Sequence, residues 1–238
     1  IEDRGWRGNE PSYTLSPQPH TPTPLKGLSL LDIGCGGGLI AEPMARLGAN
    51  VTAIDASEKN IKVAQLHAEQ SGLSIDYRCT TAENLVLSLR AQRSNPASHA
   101  AHEQEKLDRH VADAPCDDRF DVVLALEIIE HVADVPLFLK SVSALVKPGG
   151  LLFMSTINRT AKSYALAIIG AEYVLRWLPV GTHTWSKFLK PHELIRPLET
   201  HGIQLLDMQG MVMNPLTGEW RWNAKDVSVN YMLAGWKN

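Results

Sequence analysis

Apolar runs of strand length alternate with stretches of helical spacing along most of the chain. Strands are predicted at 30–33, Val51–Asp55, Ser74–Cys79, Phe120–Leu126, Leu151–Ile157, Ile203–Met213 and Val227–Trp236. Helices are predicted at Leu39–Gly48, 58–71, Asp134–Val146, Ser163–Leu178 and Pro191–His201, with Ser57 capping the second. This alternation, which ends in a pair of strands, predicts an α/β fold: a doubly wound, mostly parallel sheet with an antiparallel final strand.

Two stretches fall outside this pattern. Residues 1–24 include the run PSYTLSPQPHTPTP, which is too rich in proline, serine and threonine to build a core, and we expect a disordered or extended arm. Residues 86–118 are polar and of mixed charge where a compact fold needs only a short connection, which predicts a surface insertion. We expect its histidines (His99, His102 and His110) to be solvated, since nothing apolar nearby would hold them as metal ligands. The remaining domain is expected to span 25–238.

A glycine cluster follows the first predicted strand, and an acid ends the second. In LLDIGCGGG, an apolar run and Asp32 lead into Gly34, Gly36 and Gly38. Glycine suits a tight turn with positive φ and lets a ligand approach the main chain. Asp55 ends VTAID, where a nucleotide-binding α/β unit places the carboxylate that accepts hydrogen bonds from a ribose. Together they predict a bound nucleoside.

Bulk composition narrows the class of protein. The net charge of −3 over 238 residues argues against a surface devoted to nucleic acid. Cys35, Cys79 and Cys116 are odd in number and show no C-x-x-C spacing, which favours reduced thiols in the cytoplasm. The sequence shows neither a signal peptide nor eighteen consecutive apolar residues.

Spacing within the glycine cluster separates two classes of nucleoside-binding protein. The dinucleotide fingerprint G-x-G-x-x-G requires a third glycine where this chain has Leu39, which disfavours a dehydrogenase. An acid followed by G-x-G-x-G instead resembles the first motif of the Rossmann-like class I methyltransferases that use S-adenosylmethionine. The alternative is a glycine-rich turn that binds nothing.

Later motifs make this resemblance more specific. In order, the chain contains FDVVLALEIIEHV, LVKPGG, STINRT, GAEYVLRWLPVGTH, PHEL and NPLTGEW. Together with LLDIGCGGG they resemble the ubiquinone-biosynthesis O-methyltransferases, which methylate polyprenyl catechols. The resemblance implies S-adenosylmethionine contacts at Gly34, Asp55 and Leu126, and a polyprenyl-phenol substrate. A further family contact, an arginine ahead of the first strand, has no matching residue here.

Methyl transfer needs a deprotonated phenolic oxygen in line with the sulfonium methyl. Glu127, Glu130 and His131 fall on one side of a predicted helical turn, and two carboxylates with an imidazole suit Mg²⁺. In the resembling family, E-x-x-E-H at this place is the metal position. The alternative is an ordinary helix start, where the helix dipole favours acidic residues. His131 and His183 are also candidates for the general base, and the sequence does not rank them.

The apolar segment Ser163–Leu178 carries a candidate ion pair, Glu172 and Arg176, and a predicted apolar side. One interpretation of this segment is a helix packed on the sheet. The other is an interfacial lid that contacts the inner membrane surface and admits a prenylated substrate. A quinone-biosynthesis complex is a further expected partner. Two competing hypotheses remain: a methyltransferase of another small acceptor, and a non-catalytic lipid-binding or assembly subunit.

Overall fold

The structure is a computed structural model that describes residues 23–94, 119–174, 179, 181–182, 184–213 and 217–238. Several predicted features lie outside these residues: the amino-terminal arm up to residue 22, the histidines of the insertion, Arg176 and His183. The side chain of Glu172 is also outside the described part. In the described part, the strands are β1 (Ser29–Ile33), β2 (Asn50–Asp55), β3 (Asp76–Cys79), β4 (Phe120–Leu126), β5 (Val146–Ile157), β6 (Ile203–Met213), β7 (Trp220–Asn223) and β8 (Asn230–Lys237). The α-helices that pack on them are α1 (Ala41–Arg46), α2 (Glu58–Gln70), α3 (Ala82–Ser94), α4 (Val135–Leu145) and α5 (Pro191–Thr200).

These strands form one sheet in the order β3-β2-β1-β4-β5-β8-β6-β7. Neighbours from β3 to β5 run parallel, whereas β8 is antiparallel to both β5 and β6. The prediction of a mostly parallel sheet with an antiparallel final strand is confirmed. The chain order reverses on either side of β1, and ligands of such sheets bind beyond the carboxyl ends of the strands at this point.

Apolar side chains on the two faces of the sheet build two cores. Ile61, Ala64 and Ala68 of α2 pack with β1–β3 and with Leu124 of β4 on one face. The opposite face packs against α3, α4 and α5, and Leu139 of α4 is fully buried there. Both layers hold the carboxyl ends of β1, β2 and β4 in a fixed relation, which positions the site.

Helix capping follows the sequence closely. The Ser57 side chain accepts a hydrogen bond from the Asn60 amide at the start of α2, and Asp134 accepts one from the Leu137 amide at the start of α4. Such caps stabilise a helix start by about 1 kcal/mol each. The predicted boundaries of both helices agree with the structure to within one or two residues.

Strand β5 begins at Val146, five residues ahead of its predicted start, and three further elements differ from the prediction. Helix α3 extends to Ser94, inside the stretch predicted as a polar insertion, because its Leu85 and Val86 are buried in the core. Strand β7 was not predicted; it pairs with β6 as an edge strand. An α-helix was predicted from Ser163. The structure instead has a single α-helical turn at Ala161–Ser163, and the chain continues as a π-helix over Tyr164–Val174. A long π-helix is rare and has no simple sequence signal.

None of the helices in the part of the chain that the structure describes is long and apolar enough to cross a membrane.

Candidate active site

The glycine loop turns sharply away from β1. The amides of Gly34 and Cys35 both donate to the Ile54 carbonyl of β2, at 2.8 and 3.0 Å, which closes the turn. Gly34 has φ +77°, and a Cβ there would stand 2.8 Å from the Ile128 side chain. A residue with a side chain would therefore meet both backbone strain and a steric clash. Gly36 and Gly38 also have positive φ, a conformation that favours glycine along this loop.

Asp55, at the end of β2, holds the loop in place. Its carboxylate accepts hydrogen bonds from the Gly36 amide at 3.0 Å, the Ser57 amide at 2.8 Å and the Asn60 side chain at 3.2 Å. A carboxylate has about four acceptor positions, so these three bonds leave capacity for one more donor. Asp55 can thus organise the loop and still accept a hydrogen bond from a ligand hydroxyl.

Asp32 lies behind the loop on β1 and is only 3 % exposed. Its Oδ2 has no hydrogen-bond partner among the described residues. Burial, reinforced by the negative charge of Asp55, raises the pKa of Asp32 to about 7. Near neutral pH this group therefore populates both the protonated and the ionised form.

A cavity of about 460 Å³ opens at the carboxyl edge beside the loop. It is lined by Gly34, by Asp55, by residues 80–83 after β3, and by residues around His131 ahead of α4. Residues 80–83 were not predicted as part of the site. Their position after the third parallel strand was the available signal, because the carboxyl ends of neighbouring strands meet at one edge.

Leu126 lies elsewhere at the same edge. It pairs with Ser155 of β5, and its half-buried side chain packs against the core on the α2 face rather than lining the cavity. Asp32, Gly36 and Gly38 do not line this cavity either. Of the six predicted cofactor residues, Gly34 and Asp55 are therefore the two that line the cavity itself.

Two carboxylates meet just beyond β4. Glu127 Oε1 accepts a hydrogen bond from Ser155 Oγ at 2.6 Å, and Glu130 Oε2 accepts one from Thr156 Oγ1 at 2.8 Å. Glu130 is 5 % exposed, whereas more than a third of the Glu127 surface is exposed although its carboxylate turns inward. Burial of its carboxylate raises the pKa of Glu127 to about 7. The hydrogen bond from Ser155 opposes this rise, whereas the charge and the hydrogen bond of Glu130 add to it.

Backbone geometry brings this pair together. Glu127 has φ +50°, which is uncommon for a residue with a side chain. A short 3₁₀ helix, Ile129–His131, follows it, and turns Glu130 inward while His131 faces the cavity. In the described part of the chain, no three His, Cys, Asp or Glu side chains come close enough to hold a metal. The predicted ligand set is thus only partly assembled: Glu127 and Glu130 adjoin each other, and His131 stands apart.

Asn158, just after β5, is a buried polar residue that the sequence analysis did not select. Its Nδ2 donates to the Val227 carbonyl at 2.8 Å, which fixes the orientation of the amide. Its Oδ1 has no hydrogen-bond partner among the described residues, although Asn158 is 7 % exposed. An unpaired buried acceptor is costly, so this oxygen is suited to receive a donor from a bound molecule.

Residues 14–207 match the sequence profile of a methyltransferase domain. The chain is 52% identical over 214 residues to a ubiquinone biosynthesis O-methyltransferase of Dinoroseobacter shibae, covering 90% of this chain and 75% of that protein. A protein of the same name from Brucella anthropi is 52% identical over 215 residues, with the same coverage of both chains.

Solved structures resemble this one in fold. A magnesium protoporphyrin IX methyltransferase from Synechocystis PCC 6803, solved with bound S-adenosylhomocysteine, has a TM-score of 0.57 at 17% identity, covering 90% of this chain and 76% of that one. A methyltransferase from Methanosarcina mazei has a TM-score of 0.56 at 18% identity, covering 88% of this chain and 92% of that one. At such identities the likeness concerns the fold alone.

Proposed function

Because this chain belongs to the ubiquinone biosynthesis O-methyltransferase family, we propose that it methylates a phenolic hydroxyl of a polyprenyl catechol. It is an enzyme with the S-adenosylmethionine-dependent methyltransferase fold. The observation that carries the proposal is the cavity in which the glycine loop, Asp55 and His131 meet at the carboxyl edge of the sheet. A nucleoside donor and a titratable group can face one another there.

Cofactor binding is assigned to the loop and the two strand-end acids. We propose that Asp55 accepts a hydrogen bond from the ribose and that Gly36, which has open space where a Cβ would stand, leaves room for the donor along the main chain. Gly34 instead lets the turn pack closely against Ile128. The unpartnered oxygen of Asp32 lies behind that loop and favours a cationic group in its neighbourhood. Leu126 is still proposed as an S-adenosylmethionine contact, because it ends β4 at the same edge of the sheet.

When bound, S-adenosylmethionine supplies an electrophilic methyl group on a sulfonium. The protein has to hold the acceptor ring in line with that methyl, exclude water, and remove the phenolic proton. His131 is proposed as the base, since it lines the cavity. In that role the imidazole would take up the phenolic proton, while the bound donor would supply the methyl group and leave as S-adenosylhomocysteine.

Asn158 complements this assignment. Its free Oδ1 is proposed to accept a hydrogen bond from the second hydroxyl of the catechol, which would orient the ring. The Mg²⁺ hypothesis also stays a proposal: Glu127 and Glu130 offer carboxylate oxygens, but His131 would have to turn toward them to complete the set. His183 remains a second candidate base.

Contact with the inner membrane surface is proposed for the segment 163–178, in an otherwise cytoplasmic protein. In its described part, Tyr164, Leu166 and Ile169 are each exposed by 45% or more. Exposed apolar residues on one segment favour insertion between lipid headgroups. A Leu166→Glu, Ile169→Glu double variant should lose co-sedimentation with anionic liposomes, and equal sedimentation of both proteins would contradict this role. Pull-down with quinone-biosynthesis enzymes would test the proposed complex.

The deciding experiment is transfer of a labelled methyl group from S-adenosylmethionine to a short-chain prenyl catechol, compared with a panel of unrelated phenols. Product from the catechol at a higher kcat/KM than from the panel supports the proposal. Calorimetry with S-adenosylhomocysteine completes the test. A chain that does not bind this product is not a methyltransferase of any acceptor.

A further inference from the structure

Two buried polar atoms near the glycine loop lack a hydrogen-bond partner among the described residues. They are Oδ2 of Asp32, a residue that is 3% exposed, and the hydroxyl of Tyr77, a residue that is 8% exposed. The carboxylate accepts hydrogen bonds, and the hydroxyl can donate one. An unpaired polar atom in a protein interior is costly, so each of these atoms is suited to a partner. The proposed function gives Tyr77 no role.

Strand pairing puts the two polar residues in one row on the same face of the sheet. Asp32 of β1 pairs with Ala53 of β2, which pairs in turn with Tyr77 of β3. Paired residues of parallel strands point to one face, and Ala53 and Tyr77 belong to the core under α2. Neighbouring strands are about 4.8 Å apart, so the outer two Cα atoms are about 10 Å apart. A tyrosine and an aspartate at this separation can nearly meet above the small alanine.

Contacts with the glycine loop locate the Tyr77 hydroxyl. A Cβ at Gly38 would stand 2.5 Å from the hydroxyl oxygen and 3.5 Å from the Cβ of Ala64 on α2. The hydroxyl therefore lies beneath the loop, next to α2. The thiol of Cys35, buried in the same core, donates to the Gly36 carbonyl at 3.8 Å. The thiol is thus already engaged, which leaves the tyrosine as the donor suited to the Asp32 oxygen.

The titratable groups around this row keep the hydroxyl protonated. Burial, and then the charges of three neighbours, raise the pKa of Tyr77 to about 12; in order of effect they are Cys35, Glu42 and Asp32. Burial, and then the charge of Asp55, raise the pKa of Asp32 to about 7. Beside Asp32, β4 contributes Leu124, and the buried residues of α2 are apolar. Tyr77 can therefore donate over the whole pH range in which Asp32 titrates.

We propose that the Tyr77 hydroxyl holds the Asp32 carboxylate through one buried water, and that Tyr77 is thereby a positioning residue for the cationic methyl donor. The inference rests on the proposed function, in which the charge of Asp32 favours a cationic group near the loop. Because neither atom has a direct partner in the described part of the chain, the two do not bond to each other, and buried waters commonly bridge such pairs. A hydrogen bond to a carboxylate favours its ionised form. Tyr77 thus keeps Asp32 charged when the donor binds.

The first test removes the hydroxyl and keeps the ring. Tyr77→Phe should raise the pKa of Asp32 by about one pH unit, because the ionised form loses a hydrogen bond. Urea unfolding from pH 5 to pH 9 compares Asp32→Asn with its parent, once in the unaltered protein and once in the Tyr77→Phe background. A raised pKa extends the range over which ionisation opposes folding. The stability difference should therefore level off about one pH unit higher in the Tyr77→Phe background.

Tyr231→Phe is the matched control. Tyr231 is equally buried, but it belongs to the core on the opposite face, and its hydroxyl donates to the Leu189 carbonyl at 2.9 Å. This variant should lower stability at every pH and leave the Asp32 profile where it is in the unaltered protein. If Tyr77→Phe also leaves that profile in place, the hydroxyl does not serve Asp32 and the proposal is overturned.

The second test measures binding of the donor by calorimetry. Tyr77→Phe should weaken binding of S-adenosylmethionine by about 5-fold at pH 7, where the raised pKa leaves less of Asp32 ionised. At pH 8.5 most of Asp32 is ionised again, so the loss should be less than about 2-fold. S-adenosylhomocysteine lacks the sulfonium charge and should lose less affinity at pH 7. A loss that is equal at both pH values, or equal for both ligands, overturns the positioning role.

The two tests separate this inference from the proposed function. If the unaltered protein binds neither ligand, the proposed function fails and the positioning role falls with it, whereas the stability profile still decides the link between Tyr77 and Asp32. If the unaltered protein binds both ligands and the profile does not move, the function stands and the inference is overturned. A profile that moves while donor affinity stays constant keeps the hydrogen-bonded link and overturns its role in donor binding.

Discussion

The unpartnered acid behind the glycine loop provides the sharpest prediction. Asp32→Asn replaces a buried carboxyl by a neutral amide of the same shape. Because the pKa of Asp32 is raised in the folded protein, ionisation of this group opposes folding. The resulting loss of unfolding free energy is absent at low pH and grows as the pH rises. The variant should therefore gain stability relative to the unaltered protein as the pH increases.

The magnitude follows from the shift in pKa. Asp32 titrates near 3.8 when unfolded and at about 7 when folded. Between those values, each pH unit costs the unaltered protein about 1.4 kcal/mol of unfolding free energy. From pH 5 to pH 7 the difference between variant and unaltered protein should grow by about 2 kcal/mol, and above about pH 8 it should level off.

Urea unfolding without cofactor, at pH 5, 6, 7 and 8, measures this difference. Asp207→Asn is the matched control, since it removes the same charge from an exposed position on β6. Its effect on stability should be small, about 0.5 kcal/mol or less, as for most exposed substitutions. In calorimetry, Asp32→Asn should also weaken binding of the cationic donor by about 10-fold, because the charge behind the loop is gone.

A constant stability difference across this pH range would refute the reasoning, since it would mean that Asp32 is ionised in the folded protein as it is in the unfolded one. Unchanged affinity for S-adenosylmethionine would separately refute the link between this buried acid and the cofactor. The two readouts move in opposite directions. A residue with only a structural role would lower stability and affinity together.

Further predictions concern the loop, the base and the metal. Gly34→Ala should lower unfolding free energy by about 1–3 kcal/mol, and Gly36→Ala by about 1 kcal/mol, because a Cβ meets Ile128 only at the first position; thermal unfolding compares them, and equal losses would contradict the clash. His131→Ala should lower kcat by about 100-fold, whereas His192→Ala on α5 should leave kcat unchanged. If Mg²⁺ is required, chelation should abolish methyl transfer and added Mg²⁺ should restore it; full activity after chelation would exclude that role.

The sheet was predictable because its signals are local. Apolar runs ending in an acid or in glycine locate β1 and β2, and the side chains of Ser57 and Asp134 mark the helix starts where the structure has them. Helix α3 was missed because its buried positions, Leu85 and Val86, precede a long polar stretch that hid the helical spacing. Tertiary packing, rather than composition, decides that segment.

Residues of the proposed cofactor site were predictable where a special backbone geometry demands a particular residue type. Gly34 meets that condition, because no other residue fits its φ and its contact with Ile128. Residues 80–83 do not, since threonine, alanine and glutamate suit many loops. Their place in the cavity follows only from the parallel pairing of β2 and β3, which is a property of the sheet and not of that stretch of sequence.

The E-x-x-E-H motif after β4 shows why residue spacing alone was insufficient to predict how its side chains are arranged. A helical turn would put Glu127, Glu130 and His131 on one side, as the sequence predicted. The backbone instead takes a left-handed conformation at Glu127 and a 3₁₀ helix from Ile129, in which successive side chains point about a third of a turn apart. The two carboxylates consequently meet over β5, where Ser155 and Thr156 donate to them, while His131 lines the cavity beside the glycine loop. One short motif therefore reaches two separate places at the carboxyl edge of the sheet.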